Sequence, residues 1–189
     1  MKLIKQAFMD KKIVDVNGYG FVINPLTEQI PFTSSALLKE ASVELAKQVP
    51  KETTKLVTEE DKGAILVAGV SLEMGLPFGM ARWSPNGLND QIKEKLEMEY
   101  VKGEIYLSGI QKDDKVTIVD DMISTGGTLI ALIKAVERTG ASIVKVVCVC
   151  EKVNYNGREK VYKETGIKVE SLIQIDISEN KTKIVGELK

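Results

Sequence analysis

The segment that decides the fold runs from Val116 to Thr128 and reads VTIVDDMISTGGT. Its first four residues, ending at Val119, are apolar or β-branched, which is typical of a strand buried in a parallel sheet. Two acids, Asp120 and Asp121, come next, and small residues then lead to a pair of glycines before Thr128. We therefore predict a buried strand ending at two carboxylates, then a tight loop, then a helix.

The loop in this segment has the chemistry of a phosphate cradle. Glycines allow positive φ angles, and backbone amides beside a helix N-terminus can surround a phosphate monoester. Two carboxylates at its mouth would repel phosphate, but they suit vicinal sugar hydroxyls, which donate hydrogen bonds. Ribose 5-phosphate satisfies both halves, whereas an ordinary turn with solvated acids is the alternative. The candidate residues are Asp120, Asp121, Ser124, Thr125, Gly126, Gly127 and Thr128.

Strands and helices alternate along the rest of the chain. One helix is predicted after an N-cap at Ser34 or Ser35, and another between Gly63 and Gly75. Further elements are predicted as strands at 55–58, 76–82, 104–108, 115–119 and 143–150 and as a helix at 128–139. This alternation predicts one α/β domain with a mostly parallel sheet and helices on both faces. Ligands of such folds bind beyond the carboxyl ends of the strands.

Composition excludes several classes of function. The 26 Lys and Arg residues nearly balance the 27 Asp and Glu, so the charge gives no sign of a nucleic-acid or membrane partner. No apolar run reaches the roughly 20 residues of a membrane span, and we expect a cytoplasmic protein. The absence of His excludes Ser-His-Asp triads and His-ligated zinc. Cys148 and Cys150 are expected to be buried thiols.

The segment from Val116 to Thr128 resembles the fingerprint with which the type I phosphoribosyltransferase family binds 5-phosphoribosyl-1-pyrophosphate (PRPP). The resemblance implies an α/β fold with a mostly parallel sheet, helices on both faces and a small hood. It places the core at about 34–150, the hood in the N-terminal segment and 151–189, and a flexible loop at 83–99. It also implies a homodimer and Mg²⁺ bound through the oxygens of PRPP, with few or no dedicated protein ligands for the metal.

The residues Glu60-Asp61-Lys62-Gly63 resemble the pyrophosphate loop of the family, which often holds a cis peptide. The resemblance implies Asp61, Lys62 and Gly63 as PRPP-binding residues and a cis bond between Asp61 and Lys62. Arg82 resembles the basic residue that adenine and xanthine phosphoribosyltransferases place against pyrophosphate. Lys62 and Arg82 would then neutralise charge on the leaving group. A surface lysine and a salt bridge at the rim are the alternatives.

The polar stretch from Trp83 to Glu99 corresponds to the loop that closes over the active site in this family. Glu99-Tyr100 resembles the Glu-Tyr pair that ends the loop in adenine phosphoribosyltransferases, so Glu99 is a catalytic candidate. A solvated surface acid is the alternative. Trp83 departs from the family, which often has a second basic residue at this position.

The candidates for binding the purine base follow the strand at 143–150 and are Glu151, Lys152 and Tyr155. Xanthine enzymes carry a lysine after the glutamate, whereas adenine enzymes usually carry an apolar residue. An ammonium group only donates, so Lys152 favours the 6-oxo group of hypoxanthine, guanine or xanthine over the 6-amino group of adenine. The Glu99-Tyr100 pair is of the adenine type and argues against a 6-oxopurine. Thr27 also argues against it, because xanthine enzymes place an asparagine at this position.

The resemblance as a whole implies a purine phosphoribosyltransferase of purine salvage. It would transfer ribose 5-phosphate from PRPP to a purine base, with 6-oxopurines slightly preferred over adenine. Ser124 stands where animal-type hypoxanthine-guanine enzymes have an aspartate proposed as general base. The alternatives are an adenine phosphoribosyltransferase and a non-catalytic PRPP-binding regulator of purine metabolism. Such regulators generally add an N-terminal DNA-binding domain, for which the roughly fifty residues before the first predicted strand leave little room.

Overall fold

A computed structural model describes residues 1–89, 91–97 and 102–188 of the chain. Its helices are α1 (Lys2–Phe8), α2 (Ser35–Ala46), α3 (Gly63–Met74), α4 (Gly127–Arg138) and α5 (Gly157–Thr165). Its strands are β1 (Ile13–Val16), β2 (Tyr19–Val22), β3 (Lys55–Glu59), β4 (Phe78–Ala81), β5 (Ile92–Glu97), β6 (Lys102–Leu107), β7 (Lys115–Ile123), β8 (Ser142–Lys152), β9 (Val169–Asp176) and β10 (Lys183–Glu187). None of the helices in these ranges is long and apolar enough to cross a membrane.

The central sheet has six strands in the order β10-β9-β8-β7-β3-β4. The five strands from β9 to β4 are parallel, and β10 runs antiparallel to β9 at one edge. Two antiparallel hairpins, β1-β2 and β5-β6, lie outside this sheet. The predicted α/β architecture with a mostly parallel sheet is confirmed.

Helices cover both faces of the sheet, each over its own hydrophobic cluster. On one face α1, α2 and α3 pack against residues such as Leu56, Val119 and Val147. On the other face α4 and α5 pack against residues such as Val57 and Ile118. Neighbouring residues of one strand, such as Leu56 and Val57, enter opposite clusters because successive side chains of a strand point to opposite faces.

The helix ends follow the predicted local chemistry. Ser34 is the N-cap of α2, and its side chain accepts a hydrogen bond from the backbone N–H of Leu37 at 3.2 Å. Gly75 ends α3 in the left-handed region with φ of 67°, which a glycine adopts without steric cost. Both ends therefore lie where the sequence pattern predicts them.

The strands differ from the predictions in three places. Strand β7 continues to Ile123 and β8 to Lys152, because the two strands pair along their whole length as far as Ile123 and Glu151. The expected loop at 83–99 contains a strand at its end: β5 (Ile92–Glu97) pairs with β6 and buries Leu96 against the cluster under α4. Strands β9 and β10, in the range expected to form the hood, extend the central sheet.

Candidate active site

The carboxyl ends of β3, β7 and β8 meet at a cleft. Parallel strands bring their carboxyl ends to one edge of the sheet, so residues distant in sequence converge there. The β1-β2 hairpin supplies Phe21 and Val22 to the opposite wall. The predicted site residues that line this cleft are Asp61, Lys62, Asp120, Asp121, Ser124, Thr125, Gly126, Thr128 and Lys152.

The loop from Ser124 to Thr128 is tightly packed at the start of α4. Gly126 has φ of 83°, and a Cβ atom there would lie 2.8 Å from a Val161 methyl carbon and 2.9 Å from the Gly157 carbonyl oxygen. The Ser124 hydroxyl is buried and has no hydrogen-bond partner among the described residues. A buried polar atom of this kind is usually satisfied by a ligand or water. The loop thus has the shape and the open donor that a phosphate group needs.

Asp120 and Asp121 lie inside β7 at the base of the cleft, where only 4% and 8% of their surfaces are exposed. The backbone N–H of Asp121 donates to Oδ1 of Asp120 at 2.9 Å. Burial raises the pKa of Asp121 to about 6, against the opposing attraction of Lys62. Burial, with the charges of Asp121 and Glu59, raises the pKa of Asp120 well above its usual range. Strongly perturbed carboxyl groups in a cleft are typical of a functional site.

Lys62 reaches the cleft from the start of α3. Its Nζ lies 2.5 Å from Oε1 of Glu28 and 4.9 Å from the centre of the Phe21 ring. Burial acts to lower the pKa of Lys62, but the hydrogen bond and charge of Glu28, together with the charges of Asp121 and Asp61, raise the pKa above its usual value. In this structure the lysine expected to meet pyrophosphate is therefore neutralised by a carboxylate from the N-terminal segment.

The conformation of the turn after β3 depends on Gly63 and on the peptide bond between Asp61 and Lys62. A Cβ atom at Gly63 would lie 2.1 Å from Oγ1 of Thr58 and 2.8 Å from Oδ1 of Asp120, so only glycine fits. The expected cis bond between Asp61 and Lys62 is wrong, since the cis bond among the described residues is Ile30–Pro31. Lys62 instead has helical angles, and the N–H of Ala64 donates to the Asp61 carbonyl at 3.3 Å, which closes the turn as the start of a helix.

Arg82 lies at the end of β4, beside the cleft. Its Nη1 lies 2.9 Å from Oε2 of Glu60, and 52% of its side chain is exposed. The next residue, Trp83, lines the cleft. The Nε1 of the Trp83 indole donates to Oε2 of Glu59 at 2.9 Å. Glu99, the remaining catalytic candidate, lies outside the described residues.

The three base-binding candidates occupy different places. Lys152 lines the cleft, with its Nζ 5.6 Å from the centre of the Phe21 ring. Oε2 of Glu151 accepts hydrogen bonds from Gln174 at 2.7 Å and Arg158 at 3.0 Å, away from the cleft. The Tyr155 hydroxyl accepts a hydrogen bond from the Gly20 N–H at 2.8 Å, and its ring lines a neighbouring recess. The structure thus brings Lys152 alone of the three to the cleft.

Several cleft residues were not identified from the sequence, among them Phe21, Glu28 and Glu59. Glu59 directly follows the predicted strand at 55–58, so its position at a strand end was a usable signal. Phe21 and Glu28 come from an N-terminal segment whose pattern indicates no strand end near the site. Their place in the cleft depends on tertiary packing.

Comparison with known proteins agrees with this fold. The model of the phosphoribosyl transferase domain matches residues 33–183. A hypoxanthine/guanine phosphoribosyltransferase of Methanothermococcus okinawensis is 38% identical over 185 residues, which cover 98% of this chain and 100% of that protein. The corresponding protein of Methanocaldococcus infernus is 41% identical over 185 residues, 97% of this chain and 100% of the relative. The chain therefore belongs to the phosphoribosyl transferase family.

Solved structures give the same result for the fold. The adenine phosphoribosyltransferase of Rhodothermus marinus has a TM-score of 0.74 and 27% identity, and the match covers 92% of this chain and 97% of that one. The enzyme from Thermoanaerobacter pseudethanolicus has a TM-score of 0.76 at 23% identity, covering 92% and 98%. The resemblance to the type I phosphoribosyltransferase fold is thus confirmed.

Proposed function

We propose that this protein is a purine phosphoribosyltransferase that transfers ribose 5-phosphate from PRPP to a 6-oxopurine. One observation carries the proposal: a single cleft holds the buried acid pair Asp120–Asp121, the unpartnered Ser124 hydroxyl and the Lys152 ammonium group. These groups match the ribose, the 5′-phosphate and a 6-oxo group respectively. The relatives named as hypoxanthine/guanine phosphoribosyltransferases support the same choice of base.

The PRPP end of the cleft would bind in two parts. Backbone amides and hydroxyls from Ser124 to Thr128 would surround the 5′-phosphate, aided by the N-terminus of α4. Asp120 and Asp121 would accept hydrogen bonds from the ribose 2- and 3-hydroxyls. Since both acids are buried, these bonds form where little water competes for them.

Pyrophosphate would leave toward the turn after β3. The bond between C1 of the ribose and the pyrophosphate oxygen breaks, and a bond from C1 to a purine ring nitrogen forms. That nitrogen gives its proton to a base, for which Glu99 is the candidate. Lys62 would neutralise charge that grows on pyrophosphate, with Arg82 in support from the rim. Lys62 must first exchange its contact with Glu28 for the phosphate oxygens.

Mg²⁺ would bind together with PRPP, through the oxygens of its pyrophosphate group. The described residues hold no group of three or more Asp, Glu, His or Cys side chains placed to bind a metal ion. The carboxylates of Asp61 and Asp121 are oxygen donors that suit a hydrated Mg²⁺ ion, which usually keeps several waters and binds substrate phosphates. The ion would reduce the negative charge of the leaving pyrophosphate.

Lys152 would determine which purine base the protein uses. It is 6% exposed and lies on the same cleft as the PRPP residues, opposite the Phe21 ring. An ammonium group there donates to the 6-oxo group of hypoxanthine or guanine and meets another donor in the 6-amino group of adenine. Tyr155 would pack beside Lys152, whose Nζ lies 5.7 Å from the centre of the Tyr155 ring, while Glu151 keeps its hydrogen bonds with Arg158 and Gln174. The proposal also includes Glu99 as a catalytic acid or base, a cytoplasmic location and a homodimer.

Steady-state assays with adenine, hypoxanthine, guanine and xanthine test the choice of base. Lys152→Leu should lower kcat/KM for the 6-oxopurines at least about tenfold, the effect of one unmatched buried hydrogen bond. The matched control is Lys160→Leu, on the exposed surface of α5, which should leave the rates unchanged. Efficient use of adenine alone, insensitive to Lys152→Leu, would support the adenine enzyme instead.

A further inference from the structure

Two consecutive carboxylates, Glu59 at the end of β3 and Glu60 after it, hold Trp83, which lies two residues beyond β4. The indole Nε1 of Trp83 donates to Oε2 of Glu59 at 2.9 Å, and the backbone N–H of Trp83 donates to Oε1 of Glu60 at 2.6 Å. Strands β3 and β4 pair in parallel, with Glu59 opposite Ala81. The residues that come after the two strands therefore lie side by side. The contact therefore follows from the register of the sheet.

The two carboxylates differ in their surroundings. Glu60 lies near the surface, and its exposed partner Arg82 makes it an ordinary rim ion pair. Glu59 is 5% exposed and lines the cleft. Burial raises the pKa of Glu59 to about 7, with further contributions from Asp61 and Asp121, while the hydrogen bond from Trp83 acts in the opposite direction. A buried carboxyl group that lies among other acids and accepts from an indole N–H is a candidate for a specific role in the cleft.

A carboxylate facing a site for pyrophosphate is unfavourable unless its oxygens are already engaged. The indole N–H can donate a hydrogen bond but cannot accept one. It therefore satisfies an oxygen of Glu59 and brings no further negative charge to the cleft. In return, the hydrogen bond fixes the large Trp83 ring, which forms part of the cleft wall just after the end of β4. Without the hydrogen bond to Glu59, the Trp83 ring could rotate into the mouth of the cleft.

We propose that Glu59 is a positioning residue, which holds the Trp83 indole as a wall of the PRPP cleft and so sets where the loop after β4 begins. This role rests on the proposed function of the cleft. It acts through Trp83 rather than through contact with the reacting atoms. It also gives a reason for a tryptophan at a position where a basic residue would otherwise be expected.

Two substitutions at Glu59 separate this role from a simple effect of charge. Glu59→Gln and Glu59→Ala both remove the negative charge, but only the glutamine keeps an oxygen that accepts from the indole N–H. Glu59→Ala should raise the KM for PRPP about tenfold with a smaller change in kcat, and Glu59→Gln should keep the wild-type KM or lower it. Equal values of KM for the two variants would overturn the proposal.

The chain contains a single tryptophan, so its fluorescence reports on Trp83 alone. Emission of the ligand-free protein should shift to longer wavelength in Glu59→Ala and stay at the wild-type value in Glu59→Gln. The control Glu179→Ala, on an exposed acid that pairs with Lys183, should change neither emission nor KM. This arm needs no activity, so it decides the Glu59–Trp83 contact even if the protein proves not to be a transferase.

A double-mutant cycle completes the test. Trp83→Phe should raise the KM for PRPP as Glu59→Ala does, and the double variant should be no worse than Trp83→Phe alone. Full additivity of the two effects would show that Glu59 acts independently of Trp83. If Glu59→Ala does not fold, Trp83→Phe still decides the matter, because its ring is 38% exposed and its loss leaves no large cavity. An unchanged KM in that variant would contradict the proposal.

Discussion

Replacing Asp121 by asparagine should make the ligand-free protein more stable while it removes PRPP binding. Asp121 is buried in β7, and burial raises its pKa from 3.8 to about 6. The fold therefore disfavours the charged form, which predominates at neutral pH. Asparagine has nearly the same shape and carries no charge, so the variant no longer has this cost. Active sites often trade stability for function in this way.

The magnitude follows from the two pKa values. The difference between 3.8 and about 6, at about 1.4 kcal/mol per pKa unit, corresponds to at most about 3 kcal/mol above pH 6. Because the folded-state pKa is the higher one, the protein loses stability as pH rises from 3.8 to about 6 and no more above that. At pH 5 the gain from Asp121→Asn should thus shrink to about 1–2 kcal/mol.

Urea denaturation at pH 8 and pH 5 measures the gain, and thermal melting should show a rise in Tm of roughly 6–12 °C at pH 8. Calorimetry with PRPP and Mg²⁺ should show loss of binding in the same variant. Asp113→Asn, on an exposed acid in the turn before β7, is the control and should change neither. A variant no more stable than wild type at pH 8, or equally stabilised at both pH values, would refute the reasoning.

Three further substitutions test the cleft. Ser124→Ala should weaken PRPP binding about tenfold without lowering the stability of the ligand-free protein, since the buried hydroxyl has no partner there; unchanged affinity would contradict the phosphate assignment. Gly157→Ala would bring a Cβ atom to 2.0 Å from the Ser124 carbonyl oxygen, so it should cost about 1–3 kcal/mol in urea denaturation. Gly103→Ala, where an added Cβ has no atom of the described residues within 4 Å, is its control, and an equal effect of the two would refute the packing argument. Glu28→Gln should release Lys62 and tighten PRPP binding about threefold by calorimetry, and weaker binding would show that Glu28 assists the substrate.

The sequence pattern located the sheet and the glycine loop before α4 because both depend on local rules. A buried strand, two acids and a glycine loop occupy consecutive positions from Val116 to Thr128, so their proximity in space needs no tertiary information. The end of β3 was located in the same way. The side chains that converge at these strand ends were therefore largely predictable.

The direction of Glu151 was harder to predict. The strand at 143–150 was expected to stop before Glu151, which would have left Glu151 and Lys152 free to face the same pocket. Strand β8 continues to Lys152, and adjacent residues of a strand point to opposite faces. Lys152 therefore enters the cleft while Glu151 meets Arg158 and Gln174.

The contacts of the N-terminal segment could not be predicted from local patterns. Glu28 reaches Lys62 across 34 residues, and nothing in the spacing of either residue indicates the pair. Strand β5 was missed for a related reason. Its charged residues suggest a loop, and only Ile92 and Leu96 face the cluster beneath α4.

The central claim is that this cleft joins ribose 5-phosphate to a purine, and product analysis tests it most directly. The protein should be incubated with PRPP, Mg²⁺ and hypoxanthine, guanine, xanthine or adenine in turn, and nucleotide and pyrophosphate should be measured together. We expect a nucleoside 5′-monophosphate and pyrophosphate in equal amounts, with a 6-oxopurine as the best substrate and no product from the double variant Asp120→Ala/Asp121→Ala. PRPP binding by calorimetry without nucleotide from any of the four bases would contradict the account and indicate a PRPP-binding regulator.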